Sequence, residues 1–137
     1  VVKVITKAKM AHRTTVQSFN LESLTAVQKI NNQITLSALF MPSQKEALTL
    51  IAGGSTKQSE IIVQATEIGV DVISPHHLFV DADFIAQAHR VDLKVIPGTV
   101  NDPARMLELM NLGVDGIISD YPEVLKIIYN TFIEDKK

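Results

Sequence analysis

Glu67 to Pro75 reads EIGVDVISP, and Asn111 to Asp120 reads NLGVDGIISD. Each stretch leaves a helical pattern, passes through Gly-Val-Asp, and enters a short apolar segment with a serine near its end. Gly69 and Gly113 stand where those helices must stop, because glycine takes the left-handed closing conformation without a Cβ penalty. A helix-to-strand joint used twice implies alternating helices and strands, the signature of βα units around a parallel sheet.

Working outward from these joints, β-branched apolar runs predict strands at about Thr14 to Phe19, Ile34 to Phe40, Val70 to Ser74, Leu93 to Val100 and Gly116 to Ser119. Helix starts carry their own chemistry. Ser43 and Glu46 make a capping box, Asp81 stands at an N-cap, and Asp102-Pro103 puts a capping carboxylate before a first-turn proline. Tyr121-Pro122 opens the last helix in the same way. Short strands of this near-continuous apolar kind fit a parallel (β/α) barrel of TIM type better than an open sheet. No Gly-x-Gly-x-x-Gly turn suggests a dinucleotide fold. A complete barrel takes about 250 residues. The 137 residues here therefore form a single partial (β/α)-barrel domain.

With 46% hydrophobic and 20% charged residues, the composition is that of a folded, soluble domain. A net charge of -2 without a basic block gives nucleic acid no electrostatic footprint. No apolar run is long enough to span a bilayer, and the first residues do not read as a signal peptide. The absence of cysteine excludes disulfides and thiolate metal sites. It also leaves the compartment, cytoplasmic or secreted, open.

The stretch VDLKVIPGTVNDPARMLELMNLGVDGIISDYPEVLK, Val91 to Lys126, resembles the C-terminal end of the glycerophosphodiester phosphodiesterase family. Thr99-Val100-Asn101, Gly113 to Ile118 and Asp120-Tyr121-Pro122 fit its strand, joint and final helix. Upstream, VQSFNLESLTAV (Val16 to Val27) and ISPHHLFVDADFIAQAHRVDLKV look like its earlier blocks, in the right order. Two positions depart from the pattern: Gly98 replaces an expected tryptophan, and Ser119 an expected threonine. A glycine at 98 implies a wider pocket, a neighbouring aromatic in the space, or lost activity.

The resemblance implies metal-dependent hydrolysis of glycerophosphodiesters from phospholipid breakdown, releasing glycerol 3-phosphate and an alcohol. In that chemistry a histidine pair acts as acid and base, and a divalent calcium or magnesium ion held by carboxylates clamps the charge. The family's His-Arg-Gly, Glu-Asn-Thr, Glu-x-Asp and His-Asp blocks, and its lysine in a Glu-x-Lys strand, do not occur here. The expectation is therefore the C-terminal half alone, without catalytic or metal residues of its own and inactive by itself. The Val1 start, with VVKVITKAKM reading as an amphipathic helix already under way (Val1, Val4 and Ile5 on one side), suggests a truncated or processed chain. A split barrel and a degenerate half-barrel are the alternatives. Rival functions are a non-catalytic half-barrel that binds a phosphate-bearing ligand or scaffolds a partner, and a different barrel enzyme with similar joints.

Barrel sites lie at the C-terminal strand ends, which selects Gln17, Ser18, Phe19, His76, His77, Thr99, Asn101, Ser119 and Asp120. Ser18, Phe19, Thr99, Asn101 and Asp120 are the substrate-binding candidates, although turn and cap roles compete for Ser18, Asn101 and Asp120. Adjacent His76 and His77 suggest a metal or acid–base pair, but neighbours on extended chain point apart. Ala11-His12-Arg13 and Ala88-His89-Arg90 both precede strands, at the stabilising end of a barrel rather than the catalytic one.

A half barrel exposes unpaired strand edges and an apolar sheet face. A tight complex with the missing N-terminal half, or with a second copy, is expected. Light scattering at micromolar concentration checks this, and a strictly monomeric species counts against it.

Overall fold

A computed structural model describes all residues, Val1 to Lys137. The elements run α1 (Val2–Lys7), β1 (Thr15–Ser18), α2 (Leu21–Ile30), β2 (Thr35–Phe40), α3 (Gln44–Ile51) and α4 (Gln58–Ile68). There follow β3 (Val72–Pro75), α5 (Ala82–Arg90), β4 (Lys94–Val95), α6 (Pro103–Leu112) and α7 (Pro122–Asp135). Every pairing is parallel, and the four strands stand in the order β1-β2-β3-β4. The chain is an arc of a (β/α) barrel.

The Gly-Val-Asp joints explain the order. Gly69 and Gly113 close α4 and α6 at φ +77 and +93. The aspartate two residues on then grips the preceding strand twice. Asp71 N–H donates to Leu36 O, and Leu36 N–H donates back to the Asp71 carboxylate at 2.9 Å. Asp115 N–H donates to Val95 O, and Val95 N–H returns to the Asp115 carboxylate at 2.7 Å. His89, from the second Ala-His-Arg copy, adds a contact of 2.8 Å to the same Asp115 oxygen. The first copy is a 3-10 turn, Ala11–Arg13, leading into β1.

The registers divide the sheet into two faces. Val16, Leu36, Ala38, Ile73 and Val95 pack under the helices against Leu24, Ile61, Ala65, Phe84 and Ala88. The concave face carries Gln17, Ser37, Leu39, Val72 and Ser74, with the buried Ser37 and Ser74 hydroxyls 2.8 Å apart. Expected caps are present: Ser43 with Glu46 on α3, Asp81 on α5 and Asp102 on α6.

Three expectations change. The predicted fifth strand, Gly116 to Ser119, is irregular, although the chain there runs beside β4 and bonds Asp115 to Val95, Ile118 to Pro97 and Val100 to Ile118. Pro97 has no N–H to return to Asp115 O, so the ladder cannot close. The fourth strand shortens to Lys94–Val95 for a like reason on its other side, because Pro75 of β3 has no N–H to donate to Ile96 O, though Gly98 still bridges His76. On α1 the buried side belongs to Val2 and Ile5, and Val4 is 72% exposed. No helix is long and apolar enough to cross a membrane.

Asp71→Ala and Asp115→Ala each strand a strand N–H beside a core residue, an expected loss of about 1–3 kcal/mol. Urea unfolding checks this, with exposed Glu123→Ala, at the start of α7, as the near-neutral control.

Candidate functional site

At the C-terminal ends of the strands lies a hollow of about 210 Å³. Gln17 and Phe19 border it from β1, Leu39 to Met41 from β2, and Ser74 and His76 from β3. Gly98, Thr99 and Ile118 close the far side. Of the strand-end positions that the sequence selects, Gln17, Phe19, His76 and Thr99 stand at this mouth, and of the substrate-binding candidates, Phe19 and Thr99. Ser18 is on the helix-facing parity of β1, and its hydroxyl accepts from Asn20 N–H at 3.0 Å. Asn101 and Asp120 hold each other: Asn101 Nδ2 donates to the Asp120 carboxylate at 2.9 Å, and Asp120 N–H donates to Asn101 Oδ1 at 3.1 Å. Ser119 Oγ joins them at 3.2 Å. The trio ties the loop before α6 to the start of α7, outside the lining of the hollow.

The alternation of side chains could have found the rest. Ser37, Leu39, Ser74 and Gln17 share the concave face, and continuing that parity past Ser74 reaches His76. Its neighbour His77 enters a 3-10 turn (His77–Phe79), so the two rings stack at 4.5 Å between centroids instead of pointing apart. They nevertheless border different spaces, His76 the mouth and His77 a larger groove of about 610 Å³ beside α5 and α6. In that groove His77 Nδ1 is buried without a hydrogen-bond partner, while the charged groups are engaged. Asp81 caps Phe84 N–H, Asp102 caps Ala104 N–H, and Arg105 bonds the carbonyls of His77 and Val80. The mouth, where the strands end, is the candidate site.

Gly98 is packed, not spacious. A Cβ there would lie 2.7 Å from Ile118 Cβ, so Ile118 fills the volume that a side chain at 98 would claim. The neighbour in that space is aliphatic, where an aromatic was one of the expectations.

No three His, Asp or Glu side chains gather as a metal site. The Asp120 carboxylate is bonded to Asn101. The residues present do not fit a divalent ion.

Residues 1–124 match the model of the glycerophosphoryl diester phosphodiesterase family. The chain belongs to this family. Solved glycerophosphodiester phosphodiesterase structures share its fold. A candidate enzyme of Silicibacter pomeroyi superimposes with a TM-score of 0.78 at 23% identity, over 98% of this chain and 43% of that one. A glycerophosphodiester phosphodiesterase of Parabacteroides distasonis gives 0.71 at 22%, over 95% and 49%. An Oleispira antarctica phosphodiesterase, solved with its product sn-glycerol-3-phosphate, gives 0.67 at 21%, over 85% and 41%. The chain thus spans less than half the length of these family structures. No curated protein matches its sequence.

Two outcomes test the local physics. Gly98→Ala forces its methyl into Ile118 and should cost about 1–3 kcal/mol of overpacking, read as a lowered thermal midpoint. Burial, reinforced by His76 and Arg105, pulls His77 from 6.5 down to about 4. Protonation therefore favours the unfolded chain. Stability from this group is full above about pH 6.5 and falls as pH drops toward about 4. A pH series of denaturation midpoints should show a flatter acid limb in His77→Asn.

Proposed function

We propose that this chain forms the substrate-side half of a barrel that hydrolyses glycerophosphodiesters to glycerol 3-phosphate and an alcohol. The lining of the mouth carries the reading. Gln17, Ser74, His76 and Thr99 offer hydrogen bonds among the carbon of Phe19, Phe40 and Ile118. Such a lining suits a small polyol, with carbon to pack and hydroxyls to bond. No lysine or arginine borders the hollow. A buried phosphate needs counter-charge, and in this reading it comes from the complementary half of the barrel.

That half would also supply the acid–base histidines. A divalent calcium or magnesium ion, held there by carboxylates, would stabilise the charge that builds on the phosphoryl oxygens. This chain's residues would orient the glycerol or alcohol portion and wall it from water. The surfaces left open support a partner half: Phe19 and Met41 are 60% and 54% exposed at the mouth, and α7 buries no residue.

The test is hydrolysis of glycerophosphocholine, read as released glycerol 3-phosphate. The chain alone should be inactive. The same chain completed by an N-terminal half carrying the missing blocks should be active, and EDTA should abolish that activity. Chelator-resistant turnover by the isolated chain overturns the assignment. A completed barrel that binds sn-glycerol 3-phosphate without turnover establishes the non-catalytic, phosphate-ligand-binding reading instead.

A further inference from the structure

The loop after β3 is held with more care than a connection needs. Phe79 is fully buried beneath it, and Val80 is 3% exposed. From α6, Arg105 reaches across to it: Nη2 donates to His77 O at 2.7 Å and to Val80 O at 2.8 Å. Nη1 meets Glu108 at 2.8 Å, which fixes the plane of the guanidinium. The side chain is 18% exposed, so these are sheltered bonds. A planar fork can serve both carbonyls from one nitrogen, and a lysine ammonium on its flexible stem lacks that preorganised geometry.

The residue that this strap steadies is His76. Its Nδ1 accepts Leu78 N–H at 3.3 Å, inside the strapped turn. An acceptor nitrogen carries no proton, so in the neutral ring the proton sits on Nε2. Nε2 has no hydrogen-bond partner within the chain, and His76 borders the mouth. Partial burial lowers the pKa of His76, which keeps the ring neutral near pH 7.

We propose that His76 is a substrate-contacting hydrogen-bond donor, presenting Nε2–H to an oxygen of the bound molecule, and that Arg105 is the positioning residue that fixes its orientation. The proposal rests on the reading of the mouth as a glycerophosphodiester site. Arg105 acts only through the backbone of the turn. Its effect on binding should therefore travel with the tautomer of His76.

Nitrogen-15 NMR of the imidazoles, with sn-glycerol 3-phosphate and inorganic phosphate as separate probes, tests both parts on this chain completed by its N-terminal half, which supplies the counter-charge for phosphate. Wild type should show His76 as the Nε2–H tautomer, and its Nε2 signal should move with sn-glycerol 3-phosphate. His76→Asn should weaken that binding by about three- to tenfold, the worth of one hydrogen bond. Arg105→Lys should mix the tautomers of His76 and weaken binding in the same direction with the circular dichroism unchanged. Arg105→Gln is the second variant should the lysine protein unfold.

An Nδ1–H tautomer in wild type overturns the proposal. So does binding untouched by His76→Asn, an outcome that leaves the reading of the mouth standing. Arg105 variants with wild-type tautomer and affinity remove the positioning role. A completed wild-type barrel that binds neither probe defeats the reading of the mouth and the proposal with it. Equal binding of inorganic phosphate, with His76 silent, places the contact elsewhere and overturns it too.

Discussion

The fold depends on a reciprocal grip between an aspartate and the strand beside it. Asp71 and Asp115 each exchange backbone and carboxylate bonds with one residue of the preceding strand, Leu36 and Val95. Buried strand ends cannot leave N–H groups unpaired without cost. The carboxylate meets that need while fixing how far the next strand slides. Parallel pairing has no hairpin turn to set register. In this chain a side chain at the start of the strand performs the task, and everything at the far end of the sheet inherits its alignment.

Much of this was legible in the residues. The repeated Gly-Val-Asp announces the joint, Ser43 with Glu46 announces α3, and Asp102-Pro103 announces α6, because each is a local device whose partners lie within a few positions. The fifth strand was not legible as it stands. Its irregularity comes from Pro97 on a neighbouring segment, and a run such as Gly116 to Ser119 carries no trace of a missing donor across the sheet. Short-range patterns saw one side of a two-sided interaction.

The site divides along the same line. Its location at the strand ends follows from the alternation of βα units, and Phe19 and Thr99 stand there. Which side chains face inward depends on parity relative to the concave face, and that is decided by packing. Ser18 and Gln17 are neighbours in sequence, yet the first turns toward the helices and spends its hydroxyl on Asn20. Asn101 and Asp120 are bound to each other, a pairing that spans two loops and has no spacing signature.

Gly98 and Ile118 share a single volume at the mouth. The atom in the way is the Cβ of Ile118, which every residue but glycine carries, so a smaller side chain at 118 does not by itself make room at 98. A side chain at 98 needs the segment around 118 to stand back, and the outline of the mouth is therefore set by the distance between two loops as much as by the residues on them.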